Sequence, residues 1–76
     1  MQKDIHVSQA YADIMLADGR HVKTKQLKNN NVNVTVCDID DTDIVDVSME
    51  AIEHGAHIIK QVATNNTINI VATFYK

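Results

Sequence analysis

Four aspartates crowd into six positions at the end of an apolar run. Asp38, Asp40, Asp41 and Asp43 follow directly on Val32-Asn33-Val34-Thr35-Val36-Cys37. Carboxylates gathered in this way can hold a hard cation such as Mg²⁺, move protons, or attack a phosphoryl group. They can also simply open a helix. Carboxylates in a first turn meet the positive end of the helix dipole and its unpaired N–H groups. A calcium loop starting at Asp38 is excluded by position: Asp43 stands sixth, where Gly is needed for the turn, and Met49 stands twelfth, where a bidentate Glu is needed.

The run Asp38-Ile39-Asp40-Asp41-Thr42 has the pattern D-x-D-x-T after an apolar strand. It resembles the first motif of the haloacid dehalogenase superfamily of phosphotransferases. The stretch "HIIKQVATNN", with Thr64-Asn65 near its end, is similar to that superfamily's second motif. The resemblance implies a nucleophile at Asp38, an acid/base at Asp40, Mg²⁺ between them, Thr64 on the phosphoryl group, and a doubly wound parallel sheet. Two parts of the pattern are missing. No acidic residue follows Glu53 to complete a metal site, and only "TINIVATFYK" follows Asn66, where a cationic motif and further strands belong. Asp41 and Asp43 are therefore read as the first turn of a helix, with Asp38 and Asp40 in a solvated turn. No catalytic residue, metal or cofactor is expected, and the chain is not read as an enzyme. A phosphatase-like fragment stays as the last alternative.

The other reactive side chains are sparser. His54 and His57 would share one helical face only if the helix ran through Gly55, and two ligands alone define no metal site. Cys37 lies beside acidic residues rather than the electropositive setting a reactive thiol needs. It is read as a small strand residue. With two glycines in the chain, no glycine-rich phosphate loop can be built.

These residues must be positioned by a small scaffold. The 76 residues are 45% hydrophobic, 22% charged and only 4% aromatic, which fits one globular domain, residues 1–76, with an aliphatic core. Ile5 to Leu16 reads as a strand, with Ala10, Ala12, Ile14 and Leu16 alternating onto one face. Asp18-Gly19 reads as a hairpin turn, and His21 to Lys28 as the returning strand. Asn29 to Asn31 form a turn. Val32 to Ile39 is the clearest strand, with Val32, Val34 and Val36 on one face. Val45, Met49 and Ile52 then recur at helical spacing, with Thr42 or Asp41 as N-cap and Gly55 as terminator. "HIIKQVA" and "TINIVATFYK" follow as two strands around "TNN"; a single helix running on to about Ala63 is the competing parse. The fold class is thus α+β: a single mostly antiparallel sheet with one helix packed on it, in the order β-β-β-α-β-β.

Net charge is −3, so direct nucleic-acid binding is not expected. The charges are uneven, however. Residues 38–53 hold seven of the ten acids and no Lys or Arg, whereas Arg20, Lys23 and Lys25 cluster on the second strand. No apolar stretch is long enough to span a membrane, "MQKDIHVSQ" lacks the pattern of a signal peptide, and the single cysteine fits a reducing, cytoplasmic setting.

In size, composition and element order the chain resembles small phage-type inhibitors of host defence, such as anti-CRISPR proteins. That resemblance transfers no residue. It implies a non-enzymatic interaction module that sterically blocks a protein partner, such as a nucleic-acid-binding effector complex. The candidate partner-binding residues are Asp40, Asp41, Asp43 and Asp46, competing with phosphate for basic groups; Arg20, Lys23 and Lys25 on the hairpin; and Val71 and Tyr75 on the C-terminal strand. That strand is apolar on both sides, which calls for a partner or a second copy, as in a homodimer. The alternatives are a small nucleic-acid-binding module using the basic hairpin and a homo-oligomeric structural subunit.

Overall fold

A computed structural model describes residues 7–75. Ile5 and His6, the start of the expected first strand, fall outside the described residues, as does Lys76. The element order is α1 (Ser8–Ala17), β1 (His21–Gln26), β2 (Val32–Cys37), α2 (Ile44–Glu53), β3 (Ile58–Thr64) and β4 (Thr67–Phe74). Among the described residues the class is α+β, with two helices and a four-stranded sheet in the order β1-β2-β4-β3, every pair antiparallel. β2, α2 and β3 form a split β-α-β unit: the two strands run parallel and β4 is inserted between them.

The first element corrects the sequence reading. The run read as a strand is a helix, because Ser8, Tyr11, Ala12 and Met15 repeat at i, i+3, i+4 and i+7 and all four are buried. The alternating set Ala10, Ala12, Ile14 and Leu16 contains two exposed residues. Asp18-Gly19 is accordingly not a hairpin turn. Gly19 N–H donates to the Leu16 carbonyl and Arg20 N–H to that of Met15, each at 3.0 Å, with Gly19 at φ 82°. That is a Schellman helix end. Gly55 repeats it at φ 97°: its N–H donates to the Ile52 carbonyl and that of Ala56 to the Ala51 carbonyl. Both glycines of the chain stop a helix, and β3 begins at Ile58, as the hairpin parse requires.

The N-terminal end of α2 also differs from expectation. A 3₁₀ turn, Asp41–Asp43, leads into the helix, and Asp43 holds the N-cap position without a side-chain capping bond. Neither Thr42 nor Asp41 caps it. The β3–β4 hairpin closes through Asn65 and Asn66, both at positive φ (44° and 69°), the backbone of a type I′ turn.

The core lies on one face of the sheet. Val34 and Val36 of β2 and Ile70, Ala72 and Phe74 of β4 pack against Tyr11, Ala12 and Met15 of α1 and Val47 and Ala51 of α2. Helix α1 lies over β1 and β2, and α2 over β4. The Tyr11 hydroxyl donates to the Val47 carbonyl at 3.1 Å, tying the helices together, and its ring packs on Phe74 at 5.5 Å. The opposite face of the sheet is covered by no element among the described residues. β4 is a central strand; the sheet edges are β1 and β3.

Candidate functional site

Helix α2 divides into three sectors. At about 100° per residue, Ile44, Val47 and Ala51 share the side turned to the core. Val45, Met49 and Ile52 share a second side, rotated from the first by roughly 120°. They are 67%, 53% and 54% exposed, so the sequence's most regular apolar stripe faces solvent. Asp46, Glu50 and Glu53 form a third side, roughly 100° further round. The helix therefore carries an apolar stripe with a parallel row of carboxylates. Asp40 and Asp41 stand exposed just ahead of it.

Among the partner-binding aspartates, Asp40, Asp41 and Asp46 are exposed, with no ion pair among the described residues. Asp43 is different: its carboxylate meets Arg20 at 3.5 Å. Two residues assigned to separate docking patches are thus each other's partners, and they pin the end of α1 to the start of α2.

Lys23 and Lys25 project from the open sheet face. Val22 packs on the core, so alternation sends His21, Lys23 and Lys25 outward. Val71 also faces outward, at the centre of that face, paired with Thr35 on one side and Lys60 on the other. Tyr75 follows the end of β4 and stacks on His57, centroids 4.2 Å apart and planes within 13°. The sequence reading missed the two features that complete these surfaces. Val45, Met49 and Ile52 were legible as a stripe but not as an exposed one. The position of Lys60 was legible too, since Ile58, Lys60 and Val62 alternate with Ile59 and Gln61.

The D-x-D-x-T run follows a strand of an antiparallel sheet, not the parallel sheet the dehalogenase resemblance implies. Thr64 sits at the tip of the edge hairpin, paired with Thr67, whereas the Asp38 N–H donates to Oδ1 of Asn69 at 3.2 Å. His54 and His57 have different neighbours: His54 Nδ1 lies 2.9 Å from the Glu50 carbonyl, while His57 stacks on Tyr75. Cys37 is half-buried opposite His21 on the open face. A cavity of about 240 Å³, where the start of α1 meets β1 and β2, is lined by Ser8, Gln9, Ala12, Thr24, Gln26 and Val32, none of them ionisable. Tyr11 is buried between the helices. Burial pushes its phenol up to about 12, the Arg20 guanidinium pulls it back, and Glu50 adds to the rise. No group of three or more metal-ligating side chains occurs among the described residues, and no described helix is long and apolar enough to cross a membrane.

Comparison with known proteins returned no match to a family model, to a curated protein or to a solved structure.

Proposed function

We propose that the protein is a non-enzymatic interaction module whose working surface is the outer side of α2. The partner is a protein with an apolar groove edged by Lys or Arg. Val45, Met49 and Ile52 enter the groove, and Asp46, Glu50 and Glu53, with Asp40 and Asp41, meet its basic rim. One observation carries the reading: three large apolar side chains at i, i+4 and i+7 are left exposed in a domain of this size. That spacing is the anchor pattern of helix-in-groove recognition. A small domain has few apolar side chains to spare, so a whole stripe outside the core calls for a partner. The adjacent carboxylates select that partner by charge and exclude acidic ones.

The mode of action is steric. A surface with a basic rim is the kind a protein presents to nucleic-acid phosphates, and α2 occludes it. The narrower reading, a phage-type inhibitor of a host defence effector, rests on this same contact and on the resemblance in size and composition.

The test is affinity capture from a lysate of the producing cell, comparing the native chain with Met49→Ser/Ile52→Ser. Both residues are exposed, so the fold should be retained within about 0.5 kcal/mol. Losing two anchors should weaken capture by about 2 kcal/mol or more, roughly thirtyfold in Kd. Heparin should release the captured protein. Capture that is indifferent to both perturbations would contradict the reading.

A further inference from the structure

The open sheet face has a chemistry of its own, and it does not depend on α2. None of the four strands contains an Asp or Glu. All the carboxylates of the described residues lie in the helices and connections, so the fold separates charges that the net value of −3 averages away. Lys23 and Lys25 project from edge strand β1, and Lys60 projects from the opposite edge strand, β3. Lys23, Thr35, Val71 and Lys60 form one cross-strand row; Lys25, Asn33, Thr73 and Ile58 form the next. Three interstrand steps set Lys23 and Lys60 about 14 Å apart.

The rows on either side of that one are also biased towards donors. Oδ1 of Asn69 accepts the Asp38 N–H, and Oδ1 of Asn33 accepts the Thr73 hydroxyl at 2.6 Å. Each amide oxygen is thereby occupied, and each amino group keeps its two N–H donors without a partner among the described residues. Amide donors beside three ammonium groups, with no carboxylate on the strands and Asp38 at the margin next to Asn69, make a surface for oxyanions.

We infer that this face binds the phosphate backbone of double-helical nucleic acid, without sequence preference. Two observations choose that occupant among polyanions. A protein interface needs a large apolar or aromatic centre; here the central strands place Asn33, Thr35, Asn69, Thr73 and a half-buried Val71 on the open face, and Ile58 and Val62 lie out on edge strand β3. A single strand is held mainly by bases stacked on aromatic rings; the strands place no aromatic on the open face, and Tyr75, just beyond β4, is already stacked on His57. Without stacking, affinity follows charge density, which favours the duplex.

The test is fluorescence anisotropy of a labelled mixed-sequence DNA duplex of about two helical turns, titrated with the intact protein from low to moderate salt. Three lysine–phosphate contacts predict a log–log salt slope near −2.7, about a 40-fold loss of affinity between 50 and 200 mM salt. Lys23→Gln with Lys60→Gln should flatten the slope to about −0.9 while a thermal melt shows the fold retained. Met49→Ser/Ile52→Ser should bind the duplex like the native chain, so this result stands or falls apart from the α2 reading. The inference is overturned if no binding occurs at low salt or if the lysine variant binds as tightly. It is equally overturned if the single strand binds more tightly than the duplex, or if polyglutamate of equal charge competes as well, which would assign the face to an acidic protein.

Discussion

Replacing Tyr11 by Phe should make stability depend on pH in a way that crosses over. The substitution keeps the ring on Phe74 and removes only the hydroxyl that donates to the Val47 carbonyl between the helices. Near neutral pH the loss of this buried hydrogen bond should cost about 0.5–1.5 kcal/mol. At high pH the hydroxyl becomes a liability. The phenol is fully buried, and burial raises it from 10.0 to about 12. A folded value above the unfolded one means stability present below pH 10 and lost as pH rises through 12. By pH 11 the native chain should have lost about 1.4 kcal/mol relative to the variant, and more than 2 kcal/mol by pH 12. The two stability profiles should therefore cross near pH 11, with Tyr11→Phe the more stable above it. Urea melts of both proteins at several pH values read this directly, because the exposed lysines and Tyr75 are common to both. Parallel profiles would refute the argument, since they would mean that the phenolate forms in the fold as easily as in the unfolded chain. A variant as stable as the native chain near neutrality would refute the hydrogen bond between the helices.

Gly19→Ala and Gly55→Ala should each destabilise by about 1–2 kcal/mol in a denaturant melt, through backbone conformation alone. An added Cβ meets nothing within 4 Å at either site, so a larger loss would point to a contact the structure lacks. Thr42→Ala should change stability by less than about 0.5 kcal/mol, because no side-chain bond caps α2. A cost above 1 kcal/mol would place the helix start where the sequence alone suggests.

Much of the sheet is legible in the sequence. Val34 and Val36, and Ile70, Ala72 and Phe74, alternate cleanly because only one sheet face is buried. The Asn pairs at both hairpins mark backbone that must turn left-handed. Gly55 ends its helix as its context requires. The first helix is obscured because two periodicities overlap in "SQAYADIMLA". Its buried set includes Ser8 and Tyr11, which do not look apolar, while the alternating set is purely aliphatic. Gly19, preceded by Asp, carries a hairpin signature and a helix-stop signature at once. Strand order cannot be read locally, so the insertion of β4 between β2 and β3 escapes the sequence. The same limit hides the surfaces. Periodicity shows that α2 has an apolar stripe at Val45, Met49 and Ile52. It does not show that Val47 and Ala51 take the core instead, a choice made by Tyr11 and Phe74, far away in the chain.

Site-specific photo-crosslinking in the producing cell tests the α2 surface most directly. A benzophenone side chain placed at Met49 is compared with one placed at Thr35 on the open sheet face. The account predicts a protein adduct from position 49, mapping to a groove with a basic rim on the partner and suppressed by Val45→Ser with Ile52→Ser in the same chain. A protein adduct from position 35 with none from position 49 would contradict it, as would an adduct from 49 that survives loss of the neighbouring anchors.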